Sequence, residues 1–296
     1  MRRLGSVLDP EELDNLYAAK AIVYVEGESD EAFFAALAGP DIAENLEFKV
    51  PPTGGGYFQV RDRVCEERDR GNNRIYGLLD GEAAAAFAII ERLIDSRGVL
   101  FDTGNVAVDG LLFLSEAELE NLVLCHAGVA EFLTHNVGFA GIGKANIQSF
   151  ADELKGLAQR FYVLAILRFV AVEFHNAGTP CKPVDKLSGR FQSKDAVLVI
   201  LAHIKADLIA DGVPWPAFLA RVLTLMRRVR SAFVDDGTHP SPKERHVLRL
   251  ADGKGLLKRV RSTYNGPPAW EGLLTERLRT APYSAEFRSA LLAATM

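Results

Sequence analysis

Four short apolar runs alternate with helical patterns through the first 125 residues, and three of the four stop at an acidic residue. Such alternation predicts βα units on a largely parallel sheet. Residues 21–25 (AIVYV) read as a buried strand, after which Ser29-Asp30-Glu31 is expected to cap a helix carrying Phe33, Phe34 and Leu37. A second strand over residues 47–50 meets Pro51-Pro52-Thr53-Gly54-Gly55-Gly56, and a charged helix is expected over 57–70. Residues 74–79 (RIYGLL) form the third strand, which ends at Asp80-Gly81-Glu82 before an alanine-rich stretch expected to be helical. A fourth strand over 106–115 leads into a helix over 116–125.

From about residue 141 the pattern changes to long amphipathic helices, expected over 146–176, 193–210, 216–231 and from Trp270 onward. Two regions are therefore expected, an α/β domain over 1–140 and a helical region over 141–296. Their charges differ. The 296 residues carry a formal net charge of −5, but residues 1–140 hold 11 basic and 25 acidic side chains, net −14, against 23 and 14, net +9, for the remainder. At 48% hydrophobic and 25% charged, the composition excludes a disordered or collagen-like chain. Three scattered cysteines, Cys65, Cys125 and Cys181, make no disulfide framework. The most apolar stretch, 161–172, is interrupted by Arg168, and acids rather than an apolar segment follow the N-terminal Met1-Arg2-Arg3. A soluble cytoplasmic chain with no membrane span is expected.

In open α/β sheets ligands sit beyond the carboxyl ends of the strands. Glu26 closes the first strand, Asp30 follows it, and Asp80 with Glu82 ends the third. Glu116, Glu118 and Glu120 open the helix after the fourth, where Glu116 and Glu120 are expected to share a face. Like charges about 4 Å apart repel by roughly 4 kcal/mol at an effective dielectric near 20, so such a convergence calls for a cation. Oxygen-only ligation favours Mg²⁺ or Mn²⁺. Each acid also has a plainer use: Asp30 as an N-cap, Glu82 as a favourable charge at a helix start, Glu116 and Glu118 as solvated first-turn acids. Glu26 and Asp80, closing apolar strands, have no such use.

Val25-Glu26-Gly27-Glu28-Ser29-Asp30, the turn Gly54-Gly55-Gly56, and Leu79-Asp80-Gly81-Glu82 together resemble the motifs of a Toprim domain. The block Ser115-Glu116-Ala117-Glu118-Leu119-Glu120-Asn121 is similar to the E-I-E-N segment of OLD-type Toprim nucleases, and Asp252-Gly253-Lys254-Gly255-Leu256-Leu257 to a late G-K-D-L-L segment. More narrowly, the chain resembles the stand-alone Toprim effectors of PARIS-type bacterial anti-phage systems. The resemblance implies a Toprim-like α/β fold followed by a mainly helical basic region. It implies a Mg²⁺- or Mn²⁺-dependent nuclease acting on RNA or DNA and restrained by an ABC-type or SMC-like ATPase partner. Glu26 would be a metal ligand and proton acceptor, Asp80 a bridging ligand, Asp30 a ligand of a second ion or a group behind the first, and Glu82 and Glu120 supporting ligands. Glu82 departs from the family's D-x-D pair by one methylene. Two other functions fit the same acids: a non-catalytic module docking a basic partner, and a hydrolase of small phosphates.

Other chemistry finds less support. A dinucleotide fingerprint beginning at Gly54 would need glycine where Gln59 stands, and no G-x-x-x-x-G-K-[ST] occurs. The near nucleophile elbow at Gly27-Glu28-Ser29-Asp30-Glu31 lacks its last glycine, and the six histidines include no i, i+4 pair. Gly54, Gly55 and Gly56 read equally as a close approach to phosphate or metal and as a flexible turn. Among the basic clusters of the second half, Arg221 to Arg230 reads as a solvated helix face, whereas Lys254, Lys258 and Arg261 recur at helical spacing and are expected to seat a nucleic-acid backbone. The charge split reads either as a metal-holding half joined to a phosphate-gripping half, or as attraction between the halves or to an acidic partner. A homo-oligomer is compatible with either.

Overall fold

A computed structural model describes residues 20–104, 109–129, 132, 147–179, 197–232, 242–263 and 270–295. Its centre is a five-stranded sheet in the order β2-β1-β3-β5-β4, built from β1 (Ala21–Tyr24), β2 (Leu46–Lys49), β3 (Ile75–Leu79), β4 (Leu100–Asp102) and β5 (Leu111–Leu114). All pairings are parallel except that of β4 with β5. β1, β3 and β5 are covered on both faces, which is why they read as unbroken apolar runs rather than alternating ones. β4 is an addition that the sequence pattern does not announce. Its three residues lie at the edge and are only partly buried, so they need no apolar run.

Helix Glu28–Ala38 places Phe34 and Leu37 on the sheet, and helix Tyr57–Asp69 places Val60 and Val64 there. The helix expected after Asp80 differs: Gly81–Ala85 is a 3₁₀ turn, and the α-helix begins only at Ile90 and runs to Asp95. The N–H groups of Gly81 and Glu82 donate to the carbonyls of Glu116 and Ala117 at 3.0 and 2.8 Å. That pairing holds the segment along the extension of β5 and delays the helix. After β5, helix Leu119–His126 starts three residues later than expected, so Glu116 precedes it and shares no helical face with Glu120.

The later helices Ile147–Asn176, Val197–Ala210, Trp215–Ser231, Pro242–Leu250, Gly253–Thr263, Trp270–Thr280 and Pro282–Thr295 agree with the expected helical texture. Their apolar side chains join the same core as the sheet. Phe287 stacks on Phe34 at 5.7 Å, and the Tyr76 hydroxyl donates to the Thr295 carbonyl at 3.3 Å, so the final helix packs beside the first. The loops around 179–189 and 235–242, the group Lys182, Lys186 and Arg190, and Cys181, His135 and His239 lie wholly or mainly outside the described residues. Among the described residues no helix is long and apolar enough to cross a membrane, and Cys65 and Cys125 are free.

Candidate functional site

The neighbouring strands β1 and β3 end at Glu26 and Asp80, and the Asp80 N–H donates to Glu26 Oε1 at 3.2 Å. Glu26 is held from the other side as well, because the Gly56 N–H donates to its carbonyl at 2.9 Å. A Cβ on Gly55 would stand 2.2 Å from that carbonyl oxygen. The close approach made by the glycine turn is therefore to the backbone of Glu26. Gly54 and Gly56, at φ 109° and 103°, supply the left-handed turns that bring it there.

Asp30 lies in the first turn of its helix and is no N-cap: the capping position is Gly27, and Ser29 donates to the Asp30 carboxyl at 3.1 Å. Glu82 is set beside Glu118 by its N–H bond to the Ala117 carbonyl, and the two carboxyl groups lie within hydrogen-bonding reach. Two carboxyls in that relation need a shared proton or a cation between them.

Burial dominates the electrostatics. Desolvation, with the charges of Glu82 and Asp30, pushes Glu26 up to about 7 against the pull of the Asp80 N–H and of Lys254. Asp80 is raised well above the usual carboxylate range by desolvation and then by Glu26 and Glu82. Desolvation also raises Glu82, with Lys254 and Arg168 opposing, and raises Asp30, with Ser29 and Lys254 opposing. Glu118 is pushed up to about 8 by desolvation and by the charges of Glu82 and Asp252.

Glu116 and Glu118 are not solvated. They are 5% and 3% exposed. Glu116 turns away from the rim, accepting from the Tyr283 hydroxyl at 3.1 Å and standing 3.1 Å from His126 Nε2. Glu118 accepts from the Lys254 N–H at 2.7 Å. The elements that desolvate these acids come from the far end of the chain. Asn121, with no exposed surface, donates to the carbonyls of Leu248 and Ala251 at 2.8 and 3.1 Å and accepts the Glu118 N–H at 3.0 Å. Arg249 donates to the carbonyls of Ser115, Leu93 and Ile94. Asp252 caps helix Gly253–Thr263 by accepting the Gly255 N–H at 2.9 Å, and its other oxygen meets Arg168 at 3.1 Å.

No family model matches the chain, and no curated protein matches it.

Sequence reasoning named Glu26, Asp30, Asp80, Glu82 and Glu120 and left out Glu118, Asp252 and Arg168. An arginine inside an apolar helix was the available signal for the last, since such residues are rarely buried unless paired. Lys254 is carried at the start of helix Gly253–Thr263. Desolvation works against its charge, but Glu118, Glu120, Asp80 and Glu82 outweigh it and raise its pKa. Its ammonium thus belongs to the acidic group electrically. Lys258, one turn on, is exposed, and Arg261 is half-buried.

The donors are all carboxylate oxygens, a set that suits hard divalent ions. Among the described residues no three His, Cys, Asp or Glu side chains form a ready-made cage. What bears on such an ion is the charge of the set: burial raises the pKa values of these acids, and a divalent cation would favour their ionised forms.

Proposed function

We propose that the protein is a Toprim-like, Mg²⁺- or Mn²⁺-dependent nuclease that hydrolyses phosphodiester bonds in nucleic acid. The observation that carries this reading is the placing of Glu26, Asp80 and Glu82 at the carboxyl ends of adjacent parallel strands, where burial raises all three and neighbouring acids raise Glu26 and Asp80 further. Glu26 and Asp80 would hold the ion, with Asp30, Glu82 and Glu120 beside them. When bound, the ion supplies Lewis-acid polarisation of the phosphodiester and neutralises developing charge.

The chain's own groups do the rest. Glu26, raised to about 7, is poised to take a proton near neutral pH. The Asp80 N–H orients its carboxyl. Lys254 supplies a fixed positive charge among the acids, which lowers their repulsion towards a phosphate. Lys258, exposed one turn beyond, extends that charge along the helix, with Arg261 further on. By the family resemblance, the partner is an ABC-type or SMC-like ATPase that restrains the nuclease in an anti-phage setting.

Purified protein incubated with total RNA and with plasmid DNA, with and without Mn²⁺, tests the reading. Wild-type chain should cut one of them only with the metal and should bind Mn²⁺ calorimetrically. Glu26→Gln should lose both while remaining folded, as circular dichroism reads. Cleavage by that variant at the wild-type rate would overturn the assignment.

A further inference from the structure

Three aromatic rings are carried by the segments that follow β2 and β3, each joined through the backbone to one of these acids. Helix Tyr57–Asp69 begins directly after Gly56, whose N–H is bonded to the Glu26 carbonyl, so Tyr57 and Phe58 lie in its first turn. Phe87 follows the 3₁₀ turn that starts after Asp80. The ring centroids of Tyr57 and Phe58 are 4.5 Å apart, and each lies 6.2 Å from that of Phe87. Phe87 in turn meets the fully buried Phe113 edge-on at 5.6 Å.

The rings form a ladder from the core to the surface. Its outer rung, Phe58, is 37% exposed, and the Arg61 guanidinium lies over the Phe58 ring at 4.9 Å from its centroid while also pairing with Asp62. One contact and one backbone angle mark the Phe87 loop. Asn176 donates to the Ala86 carbonyl at 2.9 Å, and Ala88 is held at φ 58°. A left-handed conformation in a residue with a Cβ is strained and persists only where its surroundings impose it.

A lone exposed phenylalanine needs no explanation. Here, though, rings from two chain segments pack together, one segment bonded to the Glu26 carbonyl through the Gly56 N–H and the other following Asp80, with a guanidinium over the outer ring. Aromatic faces with arginine are what nucleobases stack on, and stacking tolerates any base because every base has a π-face. Bases in a duplex already stack on their neighbours and present no free face. We propose that Phe58, backed by Tyr57 and Phe87 and flanked by Arg61, is a stacking subsite for an unpaired nucleobase next to the phosphate to be cut. The substrate is then a single strand, a loop or a frayed end. This rests on the nuclease reading and specifies its substrate.

Binding tests it apart from cleavage. Full-length chain carrying Glu26→Gln is titrated into fluorescein-labelled oligonucleotides, ribo and deoxy, each single-stranded and annealed to its complement, and anisotropy is read at fixed salt. Single strands should bind more tightly than duplexes, and the ribo and deoxy arms identify the sugar. Adding Phe58→Ala should weaken single-strand binding roughly 5- to 150-fold, the range measured per stacked base, with little change for duplex. Phe58→Leu should weaken it similarly, and Phe58→Trp should retain it. Equal binding of duplex and single strand, or indifference to both Phe58→Ala and Phe58→Leu, would overturn the subsite while leaving metal-dependent cleavage standing. Binding that depends on Phe58 in a chain whose wild type never cleaves would keep the subsite and remove the nuclease. Failure to bind any oligonucleotide would remove both.

Discussion

Glu26 and Glu118 each hold a proton more tightly in the folded chain than a solvated glutamate does, with desolvation the main cause and neighbouring acids the next. Between the ordinary value of 4.5 and the raised values of about 7 and about 8, the folded state retains protons that the unfolded state has released. Stability in the absence of metal therefore falls as pH rises through that window. On the proposed reading a divalent ion would bind the ionised form and oppose the fall. Thermal melts at about pH 5.5 and about pH 8 should show the lower melting temperature at the higher pH, and added Mn²⁺ should narrow the gap. Glu26→Gln and Glu118→Gln should each flatten the metal-free dependence. A dependence that neither variant changes would mean that other groups set it.

At the scale of elements, the contact that completes the site is the seating of two late helices on helix Leu119–His126. One side chain does most of it. Asn121 uses both amide hydrogens and its oxygen, bonding to Leu248, Ala251 and Glu118. Gly253 is required opposite, since a Cβ there would lie 2.5 Å from Asn121 Oδ1. Asn121→Leu preserves bulk but leaves two carbonyls and one N–H without these partners. Leu248 still accepts the Ala251 N–H at 3.3 Å, so at about 1–3 kcal/mol for each of the two groups left unsatisfied the loss in urea unfolding free energy should be at least about 2 kcal/mol. A loss below about 1 kcal/mol would show that water replaces the amide.

Across the whole molecule, the acidic and basic halves meet in ion pairs. Arg221 joins Glu91 and Arg228 joins Asp95 across the halves, while Arg221 with Glu173 and Arg168 with Asp252 pair inside the basic half. The reading of residues 221–230 as a solvated face is thus corrected for Arg221 and Arg228, which dock onto helix Ile90–Asp95. These pairs are not equivalent. Asp252 is 1% exposed beside an Arg168 that is 17% exposed, whereas Arg228 and Asp95 are each nearly half exposed. Arg168→Ala strands a buried carboxylate and should cost about 3–5 kcal/mol. Arg228→Ala should cost under about 1 kcal/mol. Chemical denaturation of the two variants checks the contrast, and comparable losses would contradict the burial difference.

Strands β1, β2, β3 and β5, most helices, and the placing of Glu26 and Asp80 at strand ends were legible in residue order, because periodicity and an acid after an apolar run are properties of contiguous residues. The edge strand β4, the 3₁₀ turn after Asp80, and the burial of Glu116 and Glu118 were not. Each depends on a partner distant in sequence: β5 for β4, the Glu116 and Ala117 carbonyls for the turn, and the segment from Leu248 to Lys254 for Glu118. Residue identity alone established which groups can ionise and where they enter the sheet. Whether they stay ionised was decided by the tertiary structure, since the free energy of a charge depends on which remote segments replace its water.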